Sequence, residues 1–303
     1  MKALKRYIPL LAAILLLAGC SQLQNEPAQP VMSEQPAQTQ TEDVSPPAQA
    51  QVPEQTVPEG PVEEPAGEPV PEPEPELPAY DFSQPAPELD AVDNTYFDDA
   101  AFVGDSRTDG FMIYSGIGRG KNLTSNGLSI FQLEEKKALK IGGEKYTLLE
   151  ALEMAEYGKV YLCLGVNELG VYNDEGFYQS YLSAIDAIRV CQPNAVIYIQ
   201  GLIPINEEDV AAVKGPDYLK NDHLRVYNEL MFKAAQEKQV VYLDLYSEFV
   251  DENGELPPGA SRDGVHLKKD YCKRWLTYLQ THTVDPADLE MPQTQIDEES
   301  APV

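Results

Sequence analysis

Basic residues are scarce in this 303-residue chain. Lys and Arg number 22 against 50 Asp and Glu, a formal net charge of −28, and none lies between Ser21 and Ser106. A phosphate-binding surface needs clustered cations, so the lack of any basic run weighs against nucleic acid as a partner. Repulsion also disfavours polyanionic substrates and points toward neutral esters or neutral glycans. Cysteine is nearly as rare: four occur, with no CxxC and no Cys/His spacing of a zinc site. Cys163, inside an apolar run, reads as a small buried hydrophobe. Cys191 and Cys272 are left as either a pair or free thiols. Only three histidines are present, His223, His266 and His282. His223 in a polar helix start and His282 in a terminal helix read as solvated surface, which leaves His266 as the candidate base.

The ends of the chain have their own character. Lys2, Lys5 and Arg6 precede an apolar stretch over residues 8–18. That is the charged start and short apolar core of a secretory signal, too short to span a bilayer comfortably. Its ending, Leu17-Ala18-Gly19-Cys20, resembles a bacterial lipobox. The resemblance implies cleavage before Cys20, lipidation of Cys20 and a place on the extracellular face of the cell membrane. Two or more acyl chains hold a protein on a membrane where one does not. Residues 1–20 are therefore read as a signal peptide. Residues 21–87, rich in Pro and Glu, read as a linker that cannot build a core. The acidic residues 284–303 read as a disordered tail.

Residues 88–283 remain as one domain, long enough for a sizeable core. Apolar runs at 100–103, 159–164, 195–202 and 240–245 read as strands, and 123–130 as a short strand or ordered loop. Helical patterns fall at 148–156, 175–191, 222–237 and 268–282. Continuous apolar strands alternating with helices predict a parallel sheet covered on both faces. Sites in such sheets form beyond the C-terminal ends of the strands.

Three motifs fall in those places. Gly104-Asp105-Ser106 follows the first strand, Gly165-Val166-Asn167-Glu168 follows a central strand, and Asp263-Gly264-Val265-His266 lies beyond the last. Each alone suits a turn or a helix cap. Jointly they supply a nucleophile, a base with its carboxylate partner and an amide donor, the parts an ester hydrolase needs. The set resembles the SGNH/GDSL hydrolase family over most of the domain. Gly127, in Ser125-Asn126-Gly127, is the best match to the family's remaining block. Arg107 after the serine and Glu168 after the asparagine depart from the usual apolar residue and Asp. The flanking spelling, Phe102 to Thr108, resembles a branch frequent in exported proteins of Gram-positive bacteria.

What the resemblance implies is a three-layer α/β/α sandwich around a mainly parallel, flavodoxin-like five-stranded sheet. It implies a serine esterase in which His266 activates Ser106 and Asp263 orients His266. The backbone N–H groups of Ser106 and Gly127, with the Asn167 amide, would form the oxyanion hole. No cofactor and no metal is expected. The order Ser, Asp, His also suits α/β-hydrolases, but residues 104–108 lack their G-x-S-x-G elbow. Anchoring and linker together favour an O-acetylated cell-envelope glycan as the partner. Acyl transfer, a lipid or thioester substrate, or a non-catalytic glycan-binding module are the alternatives. Phe111, Tyr114 and Tyr172 lie near the motifs, either as core or as rings that stack on sugars. The sequence does not indicate an oligomeric state.

Overall fold

A computed structural model of the chain describes residues 80–289. Cys20 with its signal segment, residues 21–79 of the linker and residues 290–303 of the tail lie outside the described residues.

Five strands form one sheet: β1 (Ala100–Gly104), β2 (Lys121–Thr124), β5 (Lys159–Cys163), β6 (Val196–Gln200) and β7 (Val241–Leu243). Their order is β2-β1-β5-β6-β7, and every pairing is parallel. Residues β1 and β6 present are buried without exception. That is why the runs read as continuously apolar rather than alternating. Alternation decides which layer each residue meets. Val103, Leu162 and Ile199 pack in one core with Phe177, Leu224 and Tyr227. Phe102, Tyr161 and Tyr198 pack in the other with Phe111 and Trp275. On that second face Phe102, Tyr161 and Tyr198 stack in a row across three strands, at 4.9 and 4.5 Å between ring centroids.

The helices cover both faces. The first core is closed by α3 (Asp174–Cys191) and α5 (Asn221–Lys238), which pack on each other. The second is closed by α1 (Ser106–Tyr114) and α7 (Lys269–Thr281), with α6 (Leu245–Phe249) against α7. The expected doubly covered parallel sheet is the fold observed. Its strand order matches the flavodoxin-like pattern.

Several details differ from expectation. A two-stranded antiparallel hairpin, β3 (Leu139–Ile141) and β4 (Glu144–Tyr146), turns at Gly142-Gly143 between β2 and α2 (Leu148–Leu152). Helix α4 (Glu207–Ala212) also had no place in the sequence reading. The packed region is wider than residues 88–283. Tyr80 N–H donates to the Asp288 carbonyl (3.2 Å) and Ala86 N–H to that of Tyr242 (2.9 Å). Ala86, Val284 and Leu289 are buried. Backbone pairing and these apolar contacts hold both margins despite their acidic, Pro-rich composition. Cys163, Cys191 and Cys272 are all free thiols, so the 191–272 pair does not form. Cys163 is buried, and burial pushes its pKa up to about 12.

Candidate active site

The C-terminal end of β1 is built for close approach. A Cβ on Gly104 would stand 2.1 Å from the Thr108 hydroxyl and 2.8 Å from the Cys163 carbonyl. Only glycine lets the strand turn at once into α1. Asp105 caps that helix, its Oδ1 accepting the Arg107 N–H at 2.8 Å. Ser106 is then the first helical residue. Its own N–H is one of the donors a helix start leaves without an intrahelical partner.

The third motif reaches Ser106 from beyond α6. Ser261 and Leu267 pair as an antiparallel bridge, and Arg262 N–H donates to the His266 carbonyl at 3.0 Å. Gly264 sits at the apex with φ +85°, and a Cβ there would lie 2.4 Å from the Asn206 carbonyl. Inside this turn Asp263 Oδ1 accepts the N–H groups of Val265 (3.0 Å) and His266 (2.8 Å). Asp263 Oδ2 lies 2.8 Å from His266 Nδ1, and His266 Nε2 lies 2.9 Å from Ser106 Oγ. Partial burial pushes the Asp263 pKa up. The hydrogen bonds from the His266 N–H, the imidazole and the Val265 N–H outweigh it and hold the carboxyl below its ordinary value. The structure thus joins Ser106, His266 and Asp263 in one hydrogen-bonded line. An ionised carboxylate there fixes imidazole Nδ1 as the donor and leaves Nε2 to accept the serine proton.

The second motif lies next to the first. Gly165 takes φ +142°, and a Cβ would meet Leu202 at 3.0 Å. The Asn167 Nδ2 donates to Asp105 Oδ2 and to the Leu128 carbonyl, each at 3.1 Å. Both amide hydrogens are therefore engaged. The expected free oxyanion donor is not preformed, because a buried carboxylate and a loop carbonyl both need that amide. Gly127 adopts φ +67° with open space where a Cβ would stand. The backbone conformation, rather than crowding, favours glycine there. Its N–H has no partner among the described residues.

Asp105 is buried, and its pKa is raised chiefly by burial, against the Arg107 N–H bond and the Arg107 and His266 charges. The Arg107 guanidinium is buried too and donates to the Ile203 (2.8 Å) and Pro204 (3.4 Å) carbonyls. Glu168 is 1 % exposed and accepts the Ile130 N–H at 2.6 Å. Both departures from the usual motif spelling are therefore braces. The signal that marks Asp105 is a capping residue at a strand-to-helix junction. Nothing in the sequence marks Glu168 as buried.

His223 is not the solvated surface residue that its polar helix start predicts. Its side chain is 13 % exposed, with Nδ1 2.8 Å from the Leu169 carbonyl and Nε2 2.8 Å from an Asp174 oxygen. His282 is half-buried against the Tyr278 ring. Phe111 is fully buried and is core. Tyr172 stacks on His223, while Tyr114 lines the cleft beside Ser106. That cleft measures about 230 Å³ and is also lined by Asp109, Asn126, Arg262 and His266. Among the described residues no group of three His, Cys, Asp or Glu stands ready to hold a metal ion.

A family model described as the GDSL-like Lipase/Acylhydrolase family matches residues 102–270, which include all three motifs. A search of curated proteins finds no match. Among solved structures, a Streptococcus pneumonia protein provisionally described as a platelet activating factor is 18 % identical. The alignment covers 63 % of this chain and 84 % of that one, with a TM-score of 0.49. A GDSL-like lipase of Bacteroides thetaiotaomicron is 14 % identical over 61 % of this chain and 88 % of its own, TM-score 0.45. A peptidoglycan O-acetylesterase is 19 % identical over 54 % and 45 %, TM-score 0.42.

Proposed function

The chain belongs to the GDSL-like lipase/acylhydrolase family, enzymes of carboxylic ester bonds, and from that premise we propose that it removes O-acetyl groups from a cell-envelope glycan with Ser106 as nucleophile. The observation that carries the chemistry is the line Ser106–His266–Asp263, at 2.9 and 2.8 Å. His266 Nε2 takes the hydroxyl proton as Ser106 Oγ attacks the ester carbonyl. Asp263 holds the tautomer and stabilises the imidazolium that forms. The developing oxyanion is met by the N–H groups of Ser106 and Gly127. Asn167 joins them by exchanging the Leu128 carbonyl for the oxyanion, so its donation strengthens only as charge develops. His266 then gives the proton to the leaving sugar oxygen, which departs as the hydroxyl, and water attacks the acetyl-serine by the reverse sequence to release acetate.

Two features support a small acyl group carried on a polymer. The cleft of about 230 Å³ is below the ~300–1,000 Å³ common for drug-sized ligands. The His266 and Asp263 side chains are 44 % and 37 % exposed, so a polymer can approach from the side. The lipobox-like Cys20 supports action on the outer face of the membrane, where such a glycan lies.

The test is acetate release from O-acetylated cell-wall glycan and p-nitrophenol release from p-nitrophenyl acetate, with Ser106→Ala as control. Loss of the hydroxyl should lower both rates by at least ~10³-fold. A Ser106→Ala protein that still turns over either ester would overturn the mechanism. Turnover of the small ester alone would overturn the glycan.

A further inference from the structure

The two elements that deliver Ser106 and His266 also deliver a cation and a ring. Tyr114 ends α1, the helix that Ser106 begins. Arg262 opens the turn that carries Asp263 and His266, and its backbone is bonded to the His266 carbonyl at 3.0 Å. The Arg262 guanidinium lies 5.2 Å from the centre of the Tyr114 ring, and both residues line the cleft beside the nucleophile. The geometry points to a subsite here for a carboxylate-bearing sugar, whose acetyl ester would sit at Ser106. This deepens the proposed function and rests on it for the position of the ester.

The argument starts from what Arg262 does not do. Among the described residues no carboxylate lies within ion-pair distance of its side chain, and its side chain donates no hydrogen bond. Every other Arg of the domain has such a partner. Arg107 and Arg189 bond carbonyls, while Arg119, Arg225 and Arg274 bond carboxylates. A cation over a ring face uses none of its N–H groups. The planar fork of Arg262 is therefore free for a carboxylate, which guanidinium grips through two parallel hydrogen bonds. The Tyr114 ring, 36 % exposed, adds an apolar face of the kind a sugar ring can lie on.

The neighbouring acidic groups do not take this role away. Asp263 is directed at His266 and the Val265 N–H. Asp109 Oδ1 accepts from Asn122 (3.0 Å) and Thr124 (3.1 Å). The net charge of −28 argued for a neutral substrate, yet charges beyond ~8 Å are largely screened at physiological salt. A single carboxylate in contact with Arg262 feels the local cation first.

The experiment reads binding, so that it stands apart from turnover. Methyl glucuronoside acetate and methyl glucoside acetate differ in one carboxylate. Their dissociation constants are measured by NMR titration of the full chain as Ser106→Ala, with and without Arg262→Ala. The glucuronoside should bind the Arg262 protein ~10-fold more tightly than the glucoside. Arg262→Ala should erase that preference and leave the glucoside constant unchanged, and Arg262→Lys should restore part of it. Equal binding of the two sugars, undetectable binding of the glucuronoside, or equal weakening of both by Arg262→Ala would each overturn the subsite. Failure of the esterase reading would show separately, as p-nitrophenyl acetate turnover that does not depend on Ser106.

Discussion

Glu168 makes the stability of this domain depend on pH in an unusual direction. One carboxyl oxygen accepts the Ile130 N–H, and the other has no partner among the described residues. Burial pushes its pKa up from 4.5 to about 7; bonds from Ser129 and Ile130 oppose the shift, and the Asp105 charge adds to it. In the unfolded chain the group returns to its ordinary value. Below pH 4.5 both states hold the proton, and the native state carries no penalty. As pH rises through the interval, the unfolded chain releases its proton first, so stability is lost, and the loss is complete above pH 7. The interval from 4.5 to about 7, at ~1.4 kcal/mol per pH unit, amounts to ~3 kcal/mol. Glu168→Gln keeps the shape and the acceptor for Ile130 but cannot ionise. Its unpartnered amide hydrogens cost the same at every pH. The informative quantity is therefore the stability of the variant minus that of wild type, in which other titrating groups cancel. Urea denaturation at pH 4, 6 and 8 should show this difference move by ~3 kcal/mol in favour of Gln. In thermal melts of a domain this size the same change is roughly 6–12 °C. A difference that stays flat across the range would refute the reasoning.

Two other outcomes are expected. Gly264→Ala places a Cβ 2.4 Å from the Asn206 carbonyl at φ +85°, and the turn that carries His266 cannot relax around it. Stability should fall by at least ~1–3 kcal/mol with a loss of esterase rate; unchanged melting and unchanged rate would mean the turn is not held as described. Cys20→Ser should abolish incorporation of labelled palmitate; undiminished labelling of the variant, or no labelling of the wild-type chain, would remove the lipid anchor at Cys20.

The sheet was legible where strands are buried on both faces. β5 and β6 carry apolar runs at 160–163 and 196–199 because helices cover each side. β2 is an edge strand with Leu123 as its one buried residue, so its signal merged with the loop that follows. The β3–β4 hairpin is weakly marked because each strand is only three residues long and β4 opens on exposed Glu144 and Lys145, although Leu139-Lys140-Ile141 alternates and Gly142-Gly143 is a turn signal. The site was legible as three motifs because each must sit at a chain reversal where glycine is required. What could not be read was the partner of each polar side chain. Asn167 looks like a free donor in sequence, and nothing there marks Arg107 or Glu168 as buried braces, although Arg107 also lines the cleft. Their roles follow from which carbonyls and N–H groups the fold brings beside them. Phe111 and Tyr114 are three apart on one helix, yet one is core and the other lines the cleft, a distinction set by rotation about the helix axis.

The pairing of Tyr80 with Asp288 means that the described domain is entered and left at one point of its surface. A chain so arranged is a cassette. It can be spliced into a surface loop of an unrelated host, or have its ends joined and reopened elsewhere, without moving Ser106, His266 or Asp263 relative to one another.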